Sequence, residues 1–109
     1  MVEQPLQNSP RLIFQIHFNW PKEQTQEMYD NAKKIYDLAM AADWITDVRG
    51  ASGAIGSPTS SFWLFTITSY GDLDRIFLDR ENEFSKTYLA FISEMEDVVE
   101  YIYNEVQFV

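Results

Sequence analysis

The chain contains one histidine, His17, and histidine is the side chain best suited to acid–base chemistry near neutral pH. It lies in the segment RLIFQIHF, residues 11–18, where apolar residues alternate with a more mixed set. This period of two predicts a strand with one packed face, formed by Leu12, Phe14, Ile16 and Phe18. His17 points to the opposite face together with Gln15. His17 is therefore the candidate general acid or base. The alternative is a hydrogen-bonded structural histidine, since the sequence fixes no partner for it.

The C-terminal segment VEYIYNEVQFV, residues 99–109, also alternates and predicts a final strand. One of its faces carries Tyr101, Tyr103, Glu105 and Gln107, and the other carries Ile102, Asn104, Val106 and Phe108. If helices cover the second face, the first face shares a side of the sheet with His17. Glu105 could then orient His17 or pair with its charge, and the alternative is a solvated carboxylate at a strand edge. The tyrosines are expected to pack in an interface with their hydroxyl groups satisfied.

The strongest strand signal is SFWLFTITSY, Ser61–Tyr70, around which we expect the sheet to be built. One face of this strand carries Trp63, Phe65, Ile67 and Ser69, and its bulky apolar residues should pack on helices. The other face carries Phe62, Leu64, Thr66, Thr68 and Tyr70. This face is apolar at its first two positions and carries threonines and a tyrosine at the later ones, so it suits a semi-polar cavity or an interface. Phe62, Thr66 and Thr68 are therefore candidate ligand-binding residues.

The segments between these strands predict two long helices and one irregular strand. The apolar stripe over residues 22–45 predicts the first helix, and the stripe over residues 81–97 predicts the second. A short helix is expected over residues 72–78, with Asp72 as its N-cap. Residues 48–57 are rich in Gly, Ala and Ser and predict an irregular strand, with a bulge as an option. Helix ends, turns and strands thus follow one another without a linker.

The resulting order is strand, helix, strand, strand, helix, strand, which is the ferredoxin-like βαββαβ arrangement. It predicts an α+β fold with a four-stranded antiparallel sheet and both long helices on one face. Residues 1–10 contain two prolines and are expected to be a flexible lead-in to one domain spanning residues 11–109. The predicted core contains Phe14, Ile16, Ile35, Trp63, Phe65 and Phe91.

Composition narrows the functions that the chain can serve. The formal net charge of −9 disfavours nucleic acid and anionic membrane surfaces as partners. No apolar run reaches the roughly 20 residues of a membrane helix, and the first residues do not resemble a signal peptide. The chain has no cysteine, which excludes thiol chemistry and disulfides and fits a cytoplasmic protein.

Metal and phosphate sites are not predicted. The acidic residues around 72–83 do not match the spacing of a calcium loop, and a solvated surface explains them. Gly50, Gly53 and Gly56 recur every third residue without a following helix, so they do not form a phosphate-binding loop. We therefore expect no metal and no cofactor.

One sheet face remains uncovered in this arrangement, because both long helices lie on the other face. Aromatic residues make up 16% of the chain, which is more apolar surface than one small core needs. Left bare, the face with Gln15, Phe62, Leu64, Thr66 and Tyr103 would expose a large apolar patch. Self-association about a two-fold axis would cover it with the same surface of a second copy. The sequence therefore predicts a homodimer.

The element order, the aromatic strand FWLFTITSY and the segment SYGDLDRIF that follows it resemble the dimeric α+β barrel superfamily. NIPSNAP-like and antibiotic-biosynthesis-monooxygenase-like domains are the most similar, and the resemblance covers about residues 11–109. It implies that two sheets face each other and form a barrel, into which His17, Tyr101, Tyr103 and Glu105 would point. Haem-degrading members use a tryptophan against the haem, but their axial histidine lies on a helix. Trp20, Trp44 and Trp63 are therefore expected to be core residues.

Two functions follow from the resemblance. The first is a homodimeric barrel protein that binds a small apolar or aromatic ligand. The second is a cofactor-independent enzyme, similar to the monooxygenases or polyketide cyclases, with His17 as general acid or base. The cyclase-like members resemble this chain in placing a histidine on an early strand. An enzyme needs His17 inside a closed pocket with an aligned polar partner, whereas a structural histidine does not.

Overall fold

The computed structural model describes residues 11–79 and 81–106. The expected lead-in, residues 1–10, and the predicted strand positions Gln107 and Phe108 lie outside the described residues. In chain order the elements are β1 (Leu12–Asn19), α1 (Gln26–Ala41), β2 (Ile45–Ser52), β3 (Ser61–Ile67), a 3₁₀ turn (Tyr70–Asp72), α2 (Leu73–Phe77), α3 (Glu83–Ser93) and β4 (Glu96–Asn104).

The four strands form one antiparallel sheet in the order β2-β3-β1-β4. The aromatic strand β3 and the histidine strand β1 are the two central strands, and Phe14 of β1 is paired with Phe65 of β3 and Ile102 of β4. This is the ferredoxin-like βαββαβ fold, as the order of sequence patterns predicted. Strands β2 and β3 are consecutive in the chain and pair as a hairpin.

The first helix is shorter than predicted at both ends. It begins at Gln26, because Thr25 has extended backbone angles and its hydroxyl accepts a hydrogen bond from the Met28 amide at 3.3 Å. It ends at Ala41, since the chain at Ala42 is extended again. Ile45, which was predicted to be helical, instead pairs with Ile67 in the sheet. A local cap and a strand partner therefore override the apolar periodicity.

The irregular strand β2 also differs from its prediction of residues 48–57. It runs from Ile45 to Ser52, with the register irregularity between Ile45 and Asp47. It stops where Gly53 and Gly56 take positive φ angles of 81° and 83°, which an extended strand cannot contain. Residues 53–60 form the hairpin loop.

The predicted second long helix, residues 81–97, is also too long. It begins at Glu83 because the Asn82 side chain accepts a hydrogen bond from the Phe84 amide at 2.8 Å. It ends at Ser93, and β4 begins at Glu96. Asp72 does precede α2, but its carboxylate accepts from the backbone amide of Ser69 at 3.2 Å, so it caps the 3₁₀ turn.

The core lies between the helices and one face of the sheet. Five of the six predicted core residues are fully buried there: Phe14, Ile16, Ile35, Phe65 and Phe91. The sixth, Trp63, is partly buried and packs against the same core, stacked on Phe65 with 5.8 Å between ring centroids. Its indole lies over β2 at Gly50, where an added Cβ atom would come within 3.2 Å of the ring. The glycine thus leaves room on the neighbouring strand β2 for the tryptophan ring.

Tyr88 of α3 is the largest fully buried side chain, and its polar end reaches the last strand. Its hydroxyl donates a hydrogen bond to the Glu100 carboxylate at 2.7 Å. Burial, and then the hydrogen bond and the negative charge of Glu100, raise the pKa of Tyr88 far above its ordinary value of 10.0. Tyr88 therefore joins α3 to β4 and keeps its proton in the folded state.

Replacing Tyr88 with Phe should lower the free energy of unfolding by about 0.5–1.5 kcal/mol at neutral pH, the usual net contribution of a hydrogen bond. Above about pH 10 an unfolded tyrosine releases its proton while the buried one does not, so alkaline pH favours unfolding. Urea unfolding from pH 8 to about pH 11 should show a stability loss that is smaller in Tyr88→Phe. Tyr70→Phe, at an exposed position, is the control. An identical pH dependence in wild type and Tyr88→Phe would contradict this account.

Candidate functional site

The sheet face opposite the core carries the predicted site residues. Side chains at paired positions of neighbouring strands point to the same side of a sheet, so the register defines three cross-strand rows. These rows are Phe62–His17–Val99, Leu64–Gln15–Tyr101 and Thr66–Ile13–Tyr103. The buried residues of α1, α2 and α3 belong to the core cluster on the other face, so no helix within residues 11–79 and 81–106 covers these rows. We call this surface the open face.

His17 lies among three other predicted site residues on the open face. Its Nε2 is 2.9 Å from Oε1 of Gln15, two positions earlier on the same strand. The imidazole ring lies 5.3 Å from the Phe62 ring and 5.4 Å from the Tyr101 ring, which meets it edge-on. Tyr101 in turn stacks on Tyr103, with 6.1 Å between ring centroids. The structure thus brings together a histidine, an amide and an aromatic wall.

A cavity of about 230 Å³ opens beside His17, between the open face and the hairpin loop. Its walls are two rings, from His17 and Phe62, and small residues, most of which carry a hydroxyl group: Ala51, Ser52, Ala54, Ser57, Thr59, Ser60 and Ser61. None of these lining residues is Asp, Glu, Lys or Arg. The cavity therefore suits a small, largely apolar, uncharged molecule that makes a few hydrogen bonds.

The hairpin wall of this cavity is held by Asn19, which the sequence analysis missed. Its Oδ1 accepts a hydrogen bond from the Ser60 amide at 2.8 Å, and its Nδ2 donates to Asp97 at 3.0 Å. The register between β1 and β4 shifts between His17 and Asn19, and Asp97 has a φ of 54°. The available signal was an asparagine directly after the predicted strand of residues 11–18, but its two partners lie 41 and 78 positions away in the sequence.

Other predicted site residues lie away from His17. Glu105 forms an ion pair with Arg11 at 2.8 Å, and its backbone amide bonds to the carbonyl of Arg11. Arg11 precedes His17 by six positions, or about 20 Å of extended strand, so Glu105 does not orient the histidine here. Thr68 lies beyond the end of β3, and its hydroxyl donates to Asp72 at 2.6 Å. Thr66 is buried in the row at that same end.

Neither a metal-binding group nor a membrane helix occurs in the described part of the chain. Residues 11–79 and 81–106 contain no group of three or more His, Cys, Asp or Glu side chains arranged to hold an ion. No helix in that part is both long and apolar enough to cross a membrane. The exposed carboxyl of Glu83 has a lowered pKa because Lys34 hydrogen-bonds to it at 2.5 Å, but this pair lies on the helices.

Comparison with known proteins supports the fold but assigns the chain to no family. No family model and no curated protein matches the sequence. A dimeric ferredoxin-like protein of unknown function from Thermobifida fusca has a TM-score of 0.67 at 13% identity, with 96% of this chain and 100% of that chain covered. Hydroxynitrile lyase from Passiflora edulis has a TM-score of 0.68 at 13% identity, and the match covers 91% of this chain and 96% of that chain.

A DABB-family protein with a ferredoxin-like fold from Mesorhizobium loti is similar to the same degree. Its TM-score is 0.63 at 12% identity, with 90% of this chain and 99% of that chain covered. At such identities the likeness shows the fold alone. These neighbours agree with the ferredoxin-like fold that the order of sequence patterns predicted.

The Asn19 contacts lead to a prediction about the cavity wall. Asn19→Ala should leave the Ser60 amide without its acceptor and lower the free energy of unfolding by about 1–3 kcal/mol. Hydrogen exchange measured by NMR should show faster exchange at Ser60 than in the wild type. Gln26→Ala is the control, since its side chain bonds Asp30 on the exposed surface of α1. Unchanged protection at Ser60 would show that Asn19 does not hold the loop.

Proposed function

We propose that this protein is a homodimer in which two open faces close a barrel and bind a small apolar or aromatic ligand beside His17. The observation that carries the proposal is the open face itself. Its aromatic and apolar rows have no cover within the described chain, and Val99, Tyr101 and Tyr103 are 43%, 42% and 49% exposed. Surfaces of this kind on small domains mark association or ligand binding.

A second copy is the occupant that fits this surface. A two-fold axis places the same apolar rows against each other, so one set of residues covers both subunits. Charged residues of the open face lie toward its edge, where Arg49 of the edge strand β2 is bonded to Asp47 at 3.1 Å. Several structural neighbours are described as dimeric ferredoxin-like proteins, including those from Thermobifida fusca and Jannaschia. Their assembly supports the same arrangement for this chain.

The ligand site would be the cavity beside His17, enclosed by the second subunit. Gln15, Phe62, Tyr101 and Tyr103 would form its walls, and Thr66, Thr68 and Glu105 would contribute only if the ligand extends along the sheet. The uncharged lining favours a neutral ligand over an anion. The net charge of −9 disfavours nucleic acid and anionic membranes, so neither is a proposed partner. The proposed location is the cytoplasm.

A second candidate function is a cofactor-independent enzyme with His17 as general acid or base, in the manner of NIPSNAP-like or monooxygenase-like barrels. The specific observation in its favour is the contact between His17 and Gln15, which supplies the aligned polar partner that such chemistry needs. One structural neighbour, the hydroxynitrile lyase, is an enzyme, which shows that a protein with this fold can be a catalyst. Turnover of a bound ligand would separate this function from binding alone.

Both parts of the first proposal can be tested with one pair of variants. Light scattering should give the wild type twice the mass of a single chain at micromolar concentration. Leu64→Asp puts a charge in the middle row of the open face, so it should yield a folded monomer, because burying an unpaired carboxylate in the interface is unfavourable. The same variant should lose binding of neutral aromatic fragments, followed through the NMR signals of His17.

Met40→Asp is the matched control for this experiment. Met40 lies on α1 and is 62% exposed on the helix side of the molecule. Its substitution should leave both the dimer mass and fragment binding unchanged. A wild-type monomer, or a Leu64→Asp variant that retains the dimer mass, would end the proposal.

A further inference from the structure

We infer that Gln15 is a positioning residue that fixes His17 as the tautomer protonated at Nε2, so that the pocket selects neutral molecules that donate a hydrogen bond from a hydroxyl group to Nδ1. This inference deepens the proposed ligand-binding function and rests on it. It assigns a role to Gln15 and a chemical class to the ligand.

The first step is the direction of the hydrogen bond between the two side chains. The atom of Gln15 that lies 2.9 Å from Nε2 is the amide oxygen, Oε1. An amide oxygen can only accept, so Nε2 of His17 must carry the hydrogen. In the neutral ring the other nitrogen, Nδ1, then has a lone pair and no hydrogen. It can accept a hydrogen bond or a proton but cannot donate one.

The second step is the fixed orientation of the ring. Phe62 lies against the imidazole at 5.3 Å and Tyr101 meets it edge-on at 5.4 Å, one ring from each neighbouring strand. The two aromatic rings hold the plane of the imidazole, and turning the ring over within that plane would break the bond to Gln15. Within residues 11–79 and 81–106 no side chain other than Gln15 hydrogen-bonds the imidazole. Because His17 also lines the cavity, Nδ1 is the nitrogen that we assign to the ligand.

The third step is the charge and size of the cavity. Its lining contains no Lys or Arg to balance an anion, and the whole chain carries a formal charge of −9. A carboxylate or phosphate would therefore be unfavourable there. A ketone or ether would place an oxygen lone pair against the lone pair of Nδ1. A small neutral alcohol satisfies Nδ1 and leaves its hydrocarbon part against Phe62 and the alanines.

The tautomer can be observed without a ligand. Since the chain has one histidine, long-range ¹H–¹⁵N NMR spectra of the imidazole need no assignment. At about pH 7.5 the wild type should show a single tautomer with hydrogen on Nε2. Gln15→Leu should give the mixture seen for free imidazole side chains, and Gln26→Leu, on the surface of α1, should match the wild type. A tautomer mixture in the wild type would overturn the inference and leave the proposed function standing.

Ligand selection tests the second half of the inference. Cyclohexanol and cyclohexanone have nearly the same size, but only the alcohol donates a hydrogen bond. The wild-type dimer should bind the alcohol about threefold to tenfold more tightly, as one net hydrogen bond allows. In Gln15→Glu the carboxylate should hold His17 as an imidazolium with hydrogen on both nitrogens, and the preference should reverse toward the ketone.

A purely structural Gln15 would not reverse that preference. Light scattering on each variant should confirm that it remains a dimer, so that the comparison concerns the pocket alone. If the wild type and Gln15→Glu bind the two compounds with the same ratio, the positioning role is wrong. If His17 has the stated tautomer but the wild type binds neither compound, the hydroxyl selection fails together with the proposed ligand-binding function.

Discussion

A β-sheet has two faces, and the helices of this chain cover only one of them. The described helices place their buried side chains with Phe14, Ile16 and Phe65 in one core cluster. The opposite face, with three rows of aromatic, apolar and amide side chains across the central strands, meets no helix of the described residues. Apolar surface exposed to water is unfavourable in proportion to its area, so this asymmetry is the physical basis of the proposed association and ligand binding.

Strand β1 connects the core to the candidate site. Ile16 and Phe18 are buried under the helices, while Gln15 and His17, the residues alternating with them, lie on the open face. Because neighbouring residues of a strand are rigidly related, the packing of the core fixes the backbone from which the histidine projects. Asn19 then ties the end of the same strand to the hairpin that forms the cavity wall. The histidine therefore stands on a central strand of the sheet, and the hairpin loop supplies part of the cavity wall.

Side chains alternate between the two faces of a strand, so the sequence predicted which residues share a face. It placed Gln15, Phe62 and Tyr101 on the same face of the sheet as His17. The ends of the helices were not predictable from apolar periodicity, since Thr25 and Asn82 stop them through local hydrogen bonds. The partner of Glu105 depends on the register between β1 and β4, which places Arg11 beside it. Such long-range pairings need the assembled sheet, because no local pattern specifies them.

The central claim is that the open face of one chain covers the open face of another. Isotope-filtered NOE spectra of a dimer made from one labelled and one unlabelled chain test it most directly, because they report only contacts between subunits. The account predicts intermolecular NOEs among open-face side chains, including Leu64 and Tyr101, and none at Met40 on α1. A dimer whose NOEs connect the helices while the open-face residues show none would contradict it.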